Sequence, residues 1–493
     1  MKIKSLEVDN HPVLGTFVYS FEDDKTITLL VGKNGSGKTR FIELLHALLD
    51  KSFRVWEIPE WNGSDITRIK LSLELNAAEK SNLAHFKVES GEARPASLGS
   101  GDVYFEATQK TQGWNDIEVY MLNSDGGTYS KLPHEFKVAL AADKPFAKAL
   151  RLKCRYSSVQ INFEYKPVTA FAEKVDDEEK IQTKSTSSIA DEINKLLVST
   201  YYKDSVDFKK KTESGELKQG EKYTGDFDRF VDAYNELFTN KEIIGVEVES
   251  GDNKIQILNK DTGIAFGIEG LSSGEQQVVY RVGYLLKNLN VKKGGVVFID
   301  EPELSLHPEW QQGYIPFLQK IFGDSIQFVI ATHSPYIVKS GIEDTDVSIS
   351  KLTTEGGNLT DEKLHNTSKL GRATFAEVNY KAFDIPSEEF HTELYLALQR
   401  TYSPEKWDVN KKPSPWYVDG TPTSLDKVIS TMAGVTNLPP WTDVNSGNAC
   451  TETIMTFTRN IINHGDDAIS RGRGRKYSPE ELKQSIEEML KLL

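Results

Sequence analysis

The segment GKNGSGKT, Gly32 to Thr39, constrains this chain more than any other stretch of it. It fits G-x-x-x-x-G-K-[ST], and its flanks agree with it. TITLLV, Thr26 to Val31, is a continuous apolar run of buried-strand type, and KTRFIELLHALLD, Lys38 to Asp50, carries apolar residues at helical spacing. A strand that enters a glycine-rich loop and leaves as a helix makes an anion site. Backbone N–H groups curl round phosphate oxygens, and the helix N-terminus adds partial positive charge. Gly32, Asn34, Gly35 and Gly37 would form the cradle, Lys38 would reach the β and γ phosphates, and Thr39 would offer a hydroxyl to Mg²⁺.

Two further segments fit a phosphate site. VVFIDE, Val296 to Glu301, reads as a buried strand ending in two carboxylates. Asp300 can hold the Mg²⁺ shell and Glu301 can polarise an attacking water. An acidic pair at a strand end is usually a plain solvated terminus, but this one follows four apolar residues in a chain that already has a phosphate loop. LSSGEQQ, Leu271 to Gln277, precedes the apolar-periodic helix VVYRVGYLL and by itself would be a serine–glycine helix cap. It ends 23 residues before Asp300 (300 − 277), and His333 follows the next predicted strand in VIATHSP.

In this order the segments resemble an ABC-type ATPase. GKNGSGKT looks like the Walker A loop, LSSGEQQ like the signature, VVFIDEPE like Walker B, ELSLHPEWQ like the D-loop and ATHSP like the switch-histidine loop. The resemblance implies ATP and Mg²⁺ as ligands and Glu301 and His333 as the catalytic pair. In that family the signature of one subunit closes over the nucleotide on another's Walker A loop. Ser272 and Gly274 would then touch the γ-phosphate in trans, His333 would sense it in cis, and the chain would self-associate through its ATP sites. Position 273 is serine where the family often has glycine. Position 275 is glutamate where transporters usually have glutamine, which points toward the soluble SMC-like branch. A glutamine should also line the Mg²⁺ site, with Gln109, Gln112 and Gln160 as candidates.

At ~150 residues per domain, 493 residues allow about three domains. The fold class expected is α/β: an ABC-type head over 1–355, with a RecA-like core, an antiparallel β lobe and a helical insertion at about 172–242. ITRIKLSLEL, DIEVYML and VQINFEY are strand-like, whereas SSIADEINKLLVSTYY and DFDRFVDAYNELF read as amphipathic helices. EKVDDEEK reads as a solvated helix face. A C-terminal helical module should span 360–493, closed by SPEELKQSIEEMLKLL with Ser478 as cap, Pro479 in the first turn and Glu481 three residues on. Lys and Arg number 59 against 73 Asp and Glu, giving −14, so any nucleic-acid contact must be a local patch. No apolar run approaches the ~18 residues of a membrane span, MKIKSLEVDN lacks a signal-peptide core, and two cysteines make neither a disulfide framework nor a four-cysteine zinc site. The expectation is a cytoplasmic protein without a membrane partner.

From Lys38 to Leu271 is 233 residues (271 − 38), more than a transporter ATPase needs and far too few for long coiled-coil arms. EPELSLHPEWQ and THSP look like the compact ATPases of bacterial anti-phage defence: overcoming-lysogenization nucleases, Septu and PARIS ATPase subunits, and anticodon nucleases. Residues 360–493 offer no strand-borne acidic set of the Toprim type, which disfavours the first of these. TFTRNIINHGDD instead contains Arg459, Asn460 and His464, similar to the R-x(4–6)-H motif of HEPN ribonucleases, where histidine moves a proton and arginine stabilises the charged phosphorane. RGRGRK, Arg471 to Lys476, could then bind an RNA backbone. The alternative is a capped helix whose basic residues pair with Glu452, Asp466 and Asp467. Three functions stay open: an ATPase that holds or releases a separate nuclease effector, a single-chain ribonuclease with an ATPase switch, and a DNA-repair ATPase.

Overall fold

The computed structural model describes residues 2–49, 67–74, 102–111, 114–122, 129–131, 154–157, 189–217, 223–249, 252–288, 295–304, 306–364, 368–371, 373–402, 416–418, 421–423 and 425–493. Gln112, Gln160, VQINFEY and EKVDDEEK lie outside them, as does the side chain of Gln109. The chain divides into two compact units, Met1–Lys363 and Leu364–Leu493.

The first unit is built on a six-stranded sheet whose buried members are predominantly apolar, as expected of parallel strands covered on both faces. β3 (Ile27–Val31), β12 (Gly295–Asp300) and β13 (Ile326–Ala331) are buried along their whole length. With β8 (Cys154–Ser157), β14 (Val347–Glu355) and β15 (Asn358–Lys363) they are ordered β15-β14-β3-β13-β12-β8. Only β15 runs antiparallel to its neighbour. Its ladder with β14 carries the first unit past residue 355 to Lys363.

Successive strand residues point to opposite faces, so each strand serves two cores. Leu30, Phe298 and Val329 pack with Phe41 and Leu45 of α1 (Lys38–Leu49). The same core takes in Leu6, Tyr19 and Leu71 from a second, antiparallel sheet, so α1 is buried between the two. That sheet is ordered β2-β1-β4-β5-β6-β7, from β1 (Lys2–His11), β2 (Gly15–Ser20), β4 (Thr67–Glu74), β5 (Asp102–Thr111), β6 (Trp114–Leu122) and β7 (Tyr129–Lys131). On the opposite face, Phe328 meets Phe322 of α5 (Pro308–Phe322), with ring centroids 5.5 Å apart. A Cβ on Gly341 of α6 (Pro335–Ile342) would come within 2.6 Å of Leu29 there.

The described part of the insertion is helical: α2 (Ile189–Glu213) and α3 (Asp226–Leu237). A three-stranded antiparallel sheet follows, β9 (Lys241–Glu249), β10 (Asp252–Asn259) and β11 (Ala265–Phe266), and leads into α4 (Ser273–Asn288).

The second unit contains α7 (Phe375–Phe383), α8 (Glu388–Tyr402), α9 (Leu425–Ile429), α10 (Ile454–Ala468) and α11 (Pro479–Leu492). Phe390, Leu394, Leu398, Met455, Ile486 and Met489 close a core between α8, α10 and α11. Ser478 and Glu481 form a reciprocal capping box at the start of α11. The unit is not wholly helical. Two short hairpins, β16 (Trp416–Val418) with β17 (Thr421–Thr423) and β18 (Trp441–Thr442) with β19 (Ala449–Cys450), interrupt the proline- and tryptophan-rich middle. Among the described residues no helix is long and apolar enough to cross a membrane.

Candidate active site

β3, β13 and β12 are adjacent and parallel, with Asp300 opposite Ala331 and Ala331 opposite Leu30. Their carboxyl ends open at one edge of the sheet, where ligands of such sheets bind. The glycine loop, the His333 loop and the Asp300–Glu301 pair all leave from that edge, although they are far apart in the chain.

The loop needs glycine for two distinct reasons. At Gly32 (φ 138°) a Cβ would meet the Leu352 carbonyl at 2.4 Å, so backbone packs where a side chain would be. Gly35 (φ 80°) has open space around it but a left-handed backbone. Asn34 and Thr39 are exposed, while Lys38 is 5 % exposed. Its Nζ donates to the carbonyls of Gly32 and Lys33, both at 2.9 Å, and to Ser36 Oγ at 3.3 Å. Burial lowers the Lys38 pKa to about 8, and Glu301, Asp300 and Glu303 pull it back up. The ammonium thus folds over its own loop, within electrostatic reach of three carboxylates.

Asp300 is 1 % exposed, and neither carboxylate oxygen completes a hydrogen bond of ordinary length. Burial raises its pKa to about 6, Glu301 and Glu43 add to that, and Thr39 and Lys38 oppose it. Buried polar groups are rarely left unpaired, so this one asks for a partner from outside the chain. A hard cation fits: Mg²⁺ is commonly held by one or two carboxylates plus substrate phosphates. Among the described residues no group of three or more His, Cys, Asp or Glu stands ready to hold a metal by itself. Asp300, the Thr39 hydroxyl and phosphate oxygens would have to share that task.

Glu301 has a left-handed backbone (φ 44°), uncommon and strained for a residue with a side chain. Its N–H donates to the Ala331 carbonyl at 2.9 Å, which ties the turn to β13. The carboxylate is half-buried, 3.8 Å from His333 Nε2. Burial and Lys38 lower the His333 pKa, and Glu301 opposes them.

Sequence reasoning assigned no role to two residues that hold this loop. Glu303 Oε1 accepts from the His333 N–H at 2.5 Å, and its Oε2 accepts from the Thr332 hydroxyl at 2.8 Å. Gln311 accepts from the Ser334 hydroxyl at 2.5 Å and donates to the Leu306 carbonyl at 2.9 Å. Glu303 had one sequence signal, a third acid in DEPE, which looks like any solvated loop acid. Gln311 had none.

Ser272 is exposed at the start of α4, with Gly274 buried beside it. The Ser272 carbonyl accepts from the Gln276 N–H at 2.9 Å, the first bond of the helix. Its hydroxyl and N–H both donate to Glu275 Oε2, at 2.8 and 2.7 Å. Position 275 therefore turns inward as a cap.

In the second unit Arg459 donates to Asn460 Oδ1 at 3.0 Å, and Asn460 donates to Glu452 Oε2 at 3.1 Å. Glu452 is 5 % exposed and takes Arg473 on both oxygens, at 2.8 and 3.0 Å. Its cationic partner is thus Arg473, not the expected Arg459 or His464. His464 is exposed, one residue before Gly465 (φ 47°) breaks the helical backbone of α10. The basic stretch is largely neutralised within the chain: Arg471 lies 4.0 Å from Asp443, Arg473 is on Glu452, and Arg475 forks onto Glu481 at 2.7 Å.

Relatives match over short stretches. The Retron Ec83 probable ATPase of Escherichia coli is 35% identical over 83 residues, 15% of this chain and 15% of that protein. The Retron Vc95 probable ATPase of Vibrio cholerae serotype O1 biovar El Tor is 33% identical over 99 residues, 18% of this chain and 19% of that protein. The Septu protein PtuA of Bacillus thuringiensis is 32% identical over 105 residues, 17% of this chain and 26% of that protein. The matches therefore span about a quarter or less of these relatives' own lengths. Among solved structures, the SMC head domain from Thermotoga maritima matches with a TM-score of 0.40 at 13% identity, covering 74% of this chain and 100% of that one. An SMC head bound to the C-winged helix domain of ScpA matches with a TM-score of 0.43 at 13% identity, covering 74% and 98%. A family model described as an AAA ATPase domain matches residues 1–338, more than half of the chain, which therefore belongs to the AAA ATPase domain family.

Proposed function

We propose that this protein is a nucleotide-gated ATPase of bacterial anti-phage defence, and that its ATP-driven closure controls a separate nuclease effector. One observation carries the nucleotide half: the buried Asp300 carboxylate lacks a partner on both oxygens, at the sheet edge where Lys38, Glu301 and His333 converge. In this reading Gly32, Asn34, Gly35 and Gly37 cradle the phosphates, and Lys38 leaves its own carbonyls for the β and γ oxygens. Thr39 and Asp300 would hold Mg²⁺, which when bound neutralises charge developing on the phosphates. Glu301 orients and polarises the attacking water, and His333, kept neutral by burial, accepts or donates one hydrogen bond at the γ-phosphate. Ser272 and Gly274 complete the site from a second copy of the chain.

The defence half rests on resemblance to retron ATPases and to a Septu protein, together with the compact insertion between the Walker A and signature segments. The second unit would be the effector side. Arg471, Arg473 and Arg475 of its basic stretch each lie within 4.0 Å of a carboxylate of the same chain, which favours protein docking over RNA binding. In cells, Lys38→Ala should abolish protection while leaving a folded protein. Normal protection by that variant would remove ATP control from the mechanism. The second reading, an intrinsic ribonuclease, needs Arg459 and His464 to converge, yet both precede the break at Gly465 and so stand ~140° apart on one helical stretch, which a second copy of the motif would have to make good. Arg459→Ala with His464→Ala separates the two. RNA cleavage lost with ATPase intact supports the nuclease, and an unchanged phenotype leaves the motif as structure.

A further inference from the structure

A buried ion pair stands directly behind the signature serine. Lys241, the first residue of β9, sends its Nζ to both oxygens of Glu275, each at 2.6 Å. The side chains are 13 and 3 % exposed. Glu275 Oε2 also receives the N–H and the hydroxyl of Ser272. One carboxylate therefore joins a cation from β9 to the exposed residue that begins α4. Its surroundings leave it little else to do. The Tyr234 hydroxyl from α3 is buried without a partner and feels the negative charge of Glu275, while the Phe266 ring lies 6.0 Å from the Lys241 ammonium. Buried in this way, Glu275 cannot itself reach a nucleotide held by another subunit.

A glutamine at 275 could cap the helix without any cation. A carboxylate there must be neutralised, and a buried charge is tolerated only when paired. We propose that Lys241 is a positioning residue for the ATP site: through Glu275 it fixes the orientation of Ser272, and so couples the insertion to the half of the site that a second subunit supplies. Loss of Lys241 leaves Glu275 charged and unpaired, and the carboxylate must turn toward water, taking the cap and Ser272 with it. β9 begins after a three-residue turn from the end of α3, with the Lys241 N–H donating to the Phe238 carbonyl at 3.2 Å. Displacement of α3 would thus move the cation.

This inference rests on the reading that Ser272 acts in trans, and the test separates the two. Lys241→Met, the double variant Lys241→Met/Glu275→Gln, and Ser272→Ala are compared in the full chain. ATP turnover, ATP-dependent dimerisation by mass measurement, and affinity of the monomer for a fluorescent ATP analogue are read for each. Lys241→Met should lose at least tenfold in turnover and in dimerisation while monomer affinity stays within about twofold. The double variant, neutral on both sides, should recover most of both, which a merely misfolded protein would not do. Should Lys241→Met fail to fold, the double variant decides alone: activity near wild type supports the coupling. A double variant as inactive as Ser272→Ala overturns it, as does Lys241→Met with wild-type turnover beside an inactive Ser272→Ala. Wild-type turnover in Ser272→Ala would instead overturn the trans reading beneath it.

Discussion

Asp300 and Glu452 are both carboxylates, and both are almost fully buried, yet their surroundings are opposite. Asp300 sits at the end of β12 with neither oxygen hydrogen-bonded. Glu452 lies in the second unit with Arg473 forked across both oxygens and Asn460 added to one. An unpaired buried carboxylate costs stability, so it persists where something outside the chain completes it. A carboxylate whose partners are all internal has no capacity left for a ligand. That contrast separates a site from a structural cluster better than residue type does, since both regions contain acids, arginines or lysines, and a histidine.

Exchanging charge at the two positions should produce opposite outcomes. Asp300→Asn should lower ATP turnover by at least ~10²-fold while leaving the nucleotide-free protein as stable as before or more so, because it removes a desolvated charge. Glu452→Ala should do the reverse. It strands Arg473 in a buried position and should destabilise the second unit by roughly 3–5 kcal/mol with ATPase unchanged. Thermal unfolding and steady-state turnover on the same two samples would expose any mixing of these effects.

A smaller effect is expected at Glu303, which holds the His333 loop through the His333 N–H and the Thr332 hydroxyl. Glu303→Ala should lower kcat about tenfold with KM little changed, and Glu303→Gln should retain most activity because it can still accept from the His333 N–H. A double-mutant cycle with His333→Ala should then be non-additive.

His391 gives the mildest test. It is fully buried, with Nε2 2.8 Å from Ser485 Oγ, and burial holds its pKa down to about 3. The unfolded chain takes up a proton there below about 6.5, whereas the folded chain refuses it until about 3. Stability of the second unit should therefore fall as pH drops through that window. His391→Gln should flatten the dependence, and an identical pH profile in that variant would show that other groups dominate.

The segments of the candidate nucleotide site stood out because each is local. GKNGSGKT needs only its own glycines and flanks, and VVFIDE carries its burial in its composition. The apolar runs marked Thr26–Val31, Val296–Asp300 and the strand before His333 as interior, but the order that sets them side by side carries no such local signal. What escaped was long-range and polar. Glu303 with Thr332, Gln311 with Ser334, and Lys241 with Glu275 pair side chains across 23 to 34 positions, and no periodicity marks such partners. The hairpins around Trp416 and Trp441 were missed because strands of two or three residues are too short to show alternation. Glu452 was recognised as an acidic partner but matched to the wrong cation, since Arg473 lies 21 residues away and beyond the break at Gly465.

In the proposed mechanism Lys38 binds the nucleotide whereas Glu301 acts only on the bound state. Equilibrium ATP binding and dimer formation for Lys38→Ala and Glu301→Gln, measured side by side, separate the two roles. Glu301→Gln should bind ATP as tightly as the wild type and accumulate as an ATP-held dimer with turnover reduced ~10²–10⁴-fold, because the water loses its base while Asp300 and Thr39 survive. Lys38→Ala should lose about tenfold or more in affinity and form no such dimer. Equal loss of binding in both variants, or a Glu301→Gln protein that stays monomeric with ATP bound, would rule out this division of roles.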